Sequence, residues 1–346
     1  MFGLIDRIVS LDMGQRGMRK LYKAARAQSP EPICSAAAKH LLGLKAADHV
    51  MIITGSIVRG WVSLDLAETD GPIGSAALAR AINHGFRAIP VVLTDPSLLK
   101  CIGATIQEAG LTIVDQAHAI SAVTNPRLSS VAIMDTCSDQ HATAKQQAKA
   151  LLDKYKPRVI ISAERAGMSA DGTFRNSLAQ DYSAGRSLLD YVVREGQARG
   201  IPTIGIGDFG NEIGMGAIRE AVEKNIEHGK VVCADLATDV VFPAGVSNWG
   251  CYAILAALAI LTGRPELAHT PDMERRLLEA APRLGLVDGL HGAREATADG
   301  MPGQVSISIV ALLEAVVARG VNFQKVLGSE APVYDIDQLS KYRRLM

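Results

Sequence analysis

The stretch Gly205–Gly216, GIGDFGNEIGMG, places five glycines with Asp208, Asn211 and Glu212 in twelve positions. Carboxylates this close raise one another's proton affinity, which suits them to act as acid and base, and they can also hold a hard divalent cation through oxygen. The glycines admit a second chemistry. Gly205 to Gly210 fits the G-x-G-x-x-G turn of a dinucleotide-binding unit, with strand-like Thr203–Ile206 before it and a helical stretch about Ile213–His228 after it. Asp235 then stands 25 residues past Gly210, near the spacing of a ribose-binding acid. Asp208 argues against this second chemistry. In such a turn a pyrophosphate rests on the backbone N–H groups at the helix start. A carboxylate at ~4 Å from it costs about 4 kcal/mol at an effective dielectric near 20. The loop therefore reads first as one that presents carboxylates, with an NAD-linked oxidoreductase kept as the alternative.

Three other loops share its character. Glu68-Thr69-Asp70-Gly71-Pro72-Ile73-Gly74 leads into a helix, Glu164-Arg165-Ala166-Gly167 follows an apolar run, and Gly245-Val246-Ser247-Asn248-Trp249-Gly250 follows another. Each has a structural alternative: a capped helix start with Pro72 near N1, a surface Glu164–Arg165 ion pair, and a cap for the helix beginning near Trp249. Together they place glycines beside charged or amide side chains at four strand ends, where ligands of open parallel sheets bind. Arg165 has the planar fork that suits a carboxylate or phosphate. Among the eight histidines no metal-like spacing occurs. A metal, if one binds, is expected on Asp208 and Glu212, with Asp70 nearby, and its ligands favour Mg²⁺, Mn²⁺ or Ca²⁺.

The elements that must position these loops are short apolar runs: Val50–Ile53, Ala88–Leu93, Leu111–Val114, Val131–Met134, Arg158–Ser162, Thr203–Ile206, Val231–Ala234 and Val240–Phe242. Segments such as Ala76–His84 and Ala144–Tyr155 carry helical spacing between them. The alternation predicts an α/β fold with a mostly parallel, Rossmann-like sheet and helices on both faces. Residues 14–44 read as two helices broken at Ser29-Pro30-Glu31-Pro32. Three more helical stretches, Pro271–Leu284, Gly303–Arg319 and Ile336–Leu345, follow the core. The expected organisation is an amino-terminal helical segment (1–45), an α/β core carrying the site (46–264) and a carboxy-terminal helical segment (265–346).

Composition narrows the function classes. The 346 residues carry 36 basic and 36 acidic side chains and only 4% aromatics, so neither a charge field nor a stacking surface for nucleic acid is present. Five cysteines without C-x-x-C spacing argue against disulfides and structural zinc, and read as buried small apolar residues. The amino terminus lacks a secretory pattern, and the run Cys251–Leu261 is too short to span a bilayer. A cytoplasmic protein without membrane association is expected, with homodimerisation left open.

The set ETDGPIG (68–74), SAERAGMSADG (162–172), GIGDFGNEIGMG (205–216) and GVSNWG (245–250) resembles the D-glutamate cyclase carboxy-terminal-type family, long catalogued as a domain of unknown function. The likeness runs from the first strand to the 285–300 loop, with Phe209 where the family usually has glycine and Ala166 where proline is common. It implies a carbon–oxygen lyase that cyclises D-glutamate to 5-oxo-D-proline with loss of water. In the animal enzyme this module is the carboxy-terminal part of a longer chain, and a non-catalytic module binding an acidic metabolite is the other reading. On the lyase reading Asp208, Glu212 and Asp70 are catalytic. Glu68, Gly71, Glu164, Arg165, Asn211, Ser247 and Asn248 contact the small acidic substrate, Arg165 through its α-carboxylate. The Gly71–Gly74 amides offer an oxyanion-type site, and a divalent cation, Mg²⁺ or Mn²⁺, is the expected cofactor if one is used.

Overall fold

The computed structural model describes residues 1–327 apart from Pro126 and Leu128; the expected helix Ile336–Leu345 lies outside the described residues. Seven strands form the main sheet: β1 (His49–Thr54), β3 (Ile89–Thr94), β4 (Thr112–Ile113), β5 (Val131–Thr136), β6 (Val159–Ala163), β7 (Thr203–Gly207) and β8 (Val240–Pro243), while β2 (Ala67–Glu68) lies outside it. Every pair in the main sheet is parallel, in the order β4-β5-β3-β1-β6-β7-β8. From β1 the chain runs outward through β3 to β4 and β5. It then returns to lay β6 on the other side of β1, and continues to β7 and β8. The strand order thus reverses between β1 and β6, which opens a crevice beyond their carboxyl ends.

The strands are apolar on both faces because helices cover both. Along β1, Val50 and Ile52 join one core, and Met51 and Ile53 the other. The first core is covered by the helices Phe2–Val9, Met18–Gln28, Ile33–Lys39, Pro72–Phe86, Leu99–Glu108, Ser247–Thr262, Pro271–Leu284 and Gly303–Leu327. The second lies under Gln116–Thr124, His141–Tyr155 and Asp190–Ala198. Residues from the amino-terminal, central and carboxy-terminal segments share the first core. Asp6, fully buried, ties the amino terminus down by accepting the Ile33 and Cys34 N–H groups at 2.7 and 3.0 Å, at the start of the helix Ile33–Lys39. All five cysteines are buried and free.

Three elements differ from expectation. Val231–Ala234 is not a strand. Its first two residues belong to the short helix Gly229–Val232, and its last, Ala234, forms only an isolated antiparallel bridge to Ser169. The helix expected at 213–228 is broken: Gly214 has φ +108 and pairs with Ala237, a 3₁₀ turn occupies Gly216–Ile218, and the α-helix runs only from Arg219 to Asn225. Phe2–Val9 is a helix ahead of the two anticipated ones. Two small strand pairs extend the carboxy-terminal loop over the crevice: β9 (Leu286–Val287) pairs with β2, and β10 (Thr297–Ala298) with β11 (Met301–Pro302). The helix Gly303–Phe323 is, by length and composition, long and apolar enough to cross a membrane, which a search for unbroken apolar runs overlooked. It lies along the Ser247 helix with Val310, Leu313, Val317 and Val321 buried in the core.

Candidate active site at the strand-order reversal

Two helices begin at the crevice and cap each other. Asp70 accepts the N–H groups of Ser247 (2.8 Å) and Asn248 (2.7 Å) at the start of the helix Ser247–Thr262, and also that of Gly71 (2.9 Å). Asn248 returns the contact: its Oδ1 accepts Gly71 N–H at 2.9 Å and Gly74 N–H at 2.7 Å, at the start of the helix Pro72–Phe86. Both positive helix ends therefore point into the crevice. The amides of Gly71 and Gly74, expected as an oxyanion site, are already used by these caps. Gly71 has φ +86, and a Cβ there would stand 2.6 Å from Glu164 Cβ. Only glycine lets the two loops approach this closely.

Glu164, the first residue after β6, holds a left-handed backbone at φ +47, uncommon for a non-glycine residue. Its carboxylate accepts the Ser247 hydroxyl at 2.6 Å. Asp208 follows β7. The loops after β1, β6 and β7 thus deliver Asp70, Glu164 and Asp208 to one point, where one oxygen from each lies within 4.8 Å of the others. That spacing can hold a divalent cation, and the trio differs from the expected pair Asp208 and Glu212.

Glu212 has another task. Its Oε1 accepts the N–H groups of Asp208 (3.1 Å) and Phe209 (2.8 Å), and its Oε2 that of Gly210 (2.7 Å). These are the amides that a dinucleotide turn would offer to pyrophosphate. Gly207 is required because a Cβ would meet Glu212 Cδ and Oε2 at 2.7 Å. Asp235, the expected ribose ligand, is paired with Arg194 at 3.0 Å and Arg219 at 3.1 Å. With the amides occupied, the helix displaced and the acid paired, the dinucleotide geometry is not formed.

Burial of so many acids shifts their titration. Asp70, 1% exposed, is pushed up to about 8, by burial first and then by Asp208. Glu212 rises to about 7 for the same two reasons. Burial also lifts Glu68 and Glu164 well above the usual carboxylate range, reinforced for Glu68 by Asp70 and for Glu164 by Asp208. Asp299, from the carboxy-terminal loop, is raised likewise by burial and by Asp208. Near neutral pH Asp70 therefore keeps its proton and Glu212 keeps its own part of the time.

Two expected ligands serve the scaffold instead. Arg165 is fully buried. Its fork takes both Asp95 oxygens at 2.6 and 2.7 Å, and also donates to the carbonyls of Gly55 and Ser187, each at 2.8 Å. Its Nε has no hydrogen-bond partner among the described residues, but with both terminal nitrogens held by Asp95 and the two carbonyls the fork is closed to a substrate carboxylate. Asn211 Nδ2 donates to Arg175 O (2.8 Å) and Tyr182 Oη (3.2 Å), anchoring the segment after β6. Glu68 is buried in β2 against Gly289, beside Ser56 and Arg186.

The cation that does touch the cluster went unseen in the sequence. Arg16, on the strap between the first two helices, donates to Asp208 Oδ2 at 2.9 Å, to Gly245 O at 3.2 Å and to Asp299 Oδ2. Burial opposes its charge, but Asp208 and Asp299 keep it protonated above its ordinary range. No local pattern could pair Arg16 with an acid 192 positions away; for Asp299 the Asp-Gly dipeptide of a tight hairpin was the available signal.

The human protein D-glutamate cyclase, mitochondrial, is 40% identical to this chain over 115 residues, a match that covers 32% of the chain and 18% of that protein. The chain therefore matches less than a fifth of that relative's length. The family model described as D-glutamate cyclase-like, C-terminal, matches residues 5–314, from the first helix to beyond the loop that carries Asp299. The chain belongs to the D-glutamate cyclase-like, C-terminal family.

Proposed function

We propose that the crevice is the active site of a D-glutamate cyclase-like lyase, converting D-glutamate to 5-oxo-D-proline and water. The observation that carries this reading is the convergence of Asp70, Glu164 and Asp208 from three loops onto one point, in a chain of this family. Cyclisation forms a bond between the α-nitrogen and the δ-carbon and breaks one carbon–oxygen bond of the side-chain carboxyl. Two protons leave the ammonium group and both depart on the oxygen as water, so no net proton is taken up. A coupled acid set suits this exchange. Asp208 accepts protons from nitrogen, while Asp70, which holds its proton near neutral pH, and Glu164, whose proton affinity burial also raises, deliver them to the leaving oxygen. Glu212 holds the backbone that presents Asp208.

The same three oxygens favour a second form of the reaction, in which bound Mg²⁺ or Mn²⁺ polarises the side-chain carboxylate. The test is NMR of the purified protein with D-glutamate, without added metal and with Mg²⁺ or Mn²⁺. Appearance of 5-oxo-D-proline supports the lyase. Line broadening of D-glutamate without product supports a binding module for acidic metabolites. Neither conversion nor binding under any condition overturns the proposal.

A further inference from the structure

We propose that Arg16 is the receptor for a carboxylate of the acidic substrate, and that Asp299 occupies that position as an internal stand-in until the substrate displaces it. The proposal rests on the reading of the crevice as a site for a small acidic molecule.

Among the described residues, Arg16 is the arginine whose guanidinium reaches the reacting carboxylates. Both terminal nitrogens of Arg165 are held by Asp95 and two carbonyls, and Arg186 is turned to the carbonyls of Tyr182 and Ile57 and the hydroxyl of Ser56. The Arg16 strap is preset by Asp12, whose carboxylate accepts the N–H groups of Arg16 at 2.8 Å and Gly17 at 2.9 Å. Among the described residues, Asp208, Gly245 O and Asp299 all meet Arg16 through one nitrogen, Nη2. A guanidinium binds a carboxylate best through two parallel N–H groups. The other edge of the fork is therefore available for a better ligand than Asp299.

Asp299 is built to be presented. It sits with Gly300 at the tip of the hairpin between β10 and β11, with φ +52 and +72 at the two positions, the handedness of a two-residue hairpin turn. The backbone of the hairpin, base and tip alike, is held by a second acid. Asp288 accepts the Thr297 hydroxyl (2.7 Å) and Gly300 N–H (2.9 Å) with one oxygen, and the N–H groups of Leu290 (2.9 Å) and His291 (2.8 Å) with the other. The Asp299 side chain can thus leave Arg16 while Asp288 keeps the hairpin backbone in place. Arg16 and Asp299 are also the outer members of the cluster, with side chains 25% and 12% exposed against 5% for Asp208. An entering acid is better accommodated where it replaces a carboxyl group already present than where it adds one. Exchange of Asp299 for a substrate carboxylate on Arg16 does this.

The test uses calorimetric binding of glutarate, D-glutamate and 5-oxo-D-proline to the wild type, Asp299→Asn, Arg16→Met, Arg16→Lys and the Asp299→Asn/Arg16→Met double variant. Asparagine tolerates the positive φ, so Asp299→Asn keeps the hairpin. It is expected to tighten glutarate about fivefold, the gain vanishes when Arg16 is methionine, and Arg16→Lys keeps part of the affinity. Unchanged or weaker binding to Asp299→Asn, or tightening that persists without Arg16, overturns the proposal, the first outcome without recourse to any Arg16 variant. Glutarate lacks the amine and cannot cyclise, so this result is independent of turnover. Tightening with no conversion of D-glutamate removes the cyclase reading and leaves the receptor standing. Absence of binding by all three carboxylates in every variant removes the receptor as well.

Discussion

Replacing Glu212 by glutamine should alter stability in a pH-dependent way. The substitution preserves size and removes the ionisation. In the wild type, burial and Asp208 raise the Glu212 carboxyl from its ordinary 4.5 to about 7. The folded state therefore holds this proton more tightly than the unfolded chain does. The stabilisation is fully present below pH 4.5 and is lost as pH rises through 7. Its size is ~3 kcal/mol, because each pH unit between the two values contributes ~1.4 kcal/mol. Glutamine carries no such dependence. It does lose an acceptor: with Oε1 still serving Asp208 and Phe209, its amide nitrogen faces the Gly210 N–H that the wild type bonds at 2.7 Å. Two donors in opposition cost on the order of 1–3 kcal/mol. Urea unfolding of both proteins between pH 4.5 and 8.5 measures the difference. The variant should be the less stable at pH 5, and the gap should close by ~3 kcal/mol towards pH 8. Parallel stability curves would refute the view that the fold raises the proton affinity of Glu212.

Asp208→Asn should lower kcat for 5-oxo-D-proline formation by at least about a hundredfold while the circular dichroism spectrum is retained, since it removes the proton acceptor without changing shape; near-normal turnover would move the chemistry elsewhere. Gly71→Ala should destabilise the protein by about 3 kcal/mol in urea unfolding, through the left-handed backbone and the 2.6 Å approach to Glu164 Cβ. Arg165→Met should cost ~3–5 kcal/mol, because it strands the fully buried Asp95, whereas loss of an exposed ion pair would cost far less; a change of substrate KM at unaltered stability would restore Arg165 to the binding role.

The sheet was legible because buried parallel strands leave unbroken apolar runs, and each of the seven main strands meets a glycine or a polar residue within two positions of its end. Val231–Ala234 has the same four-residue texture yet forms part of a short helix, since apolar content over so few residues does not distinguish a strand from a turn of helix. The carboxylates were legible for a different reason: Asp70, Glu164 and Asp208 stand beside glycines or strand ends, so their positions follow once the sheet is parallel. The roles of Arg165 and Asn211 were not legible. An arginine after a buried strand suits a ligand clamp and a structural tie equally, and the deciding partner, Asp95, lies 70 positions away.

The GIGDFG stretch shows why motif and function part company here. A turn rich in glycine exposes several backbone N–H groups, and those groups need an acceptor whatever the protein does. A dinucleotide-binding turn leaves them for a pyrophosphate. Here the chain supplies the anion itself, Glu212, four residues after Asp208, and Gly207 lacks a side chain because that carboxylate must fit against it. The internal anion fixes the loop without a ligand, which frees Asp208 to face outward from a rigid backbone towards Asp70 and Glu164. Occupation of the amides by Glu212 also leaves the loop without donors for a substrate carboxylate. The entering substrate must then be met by a cation from outside it, and the strap that brings Arg16 to Asp208 from the far end of the chain meets that need.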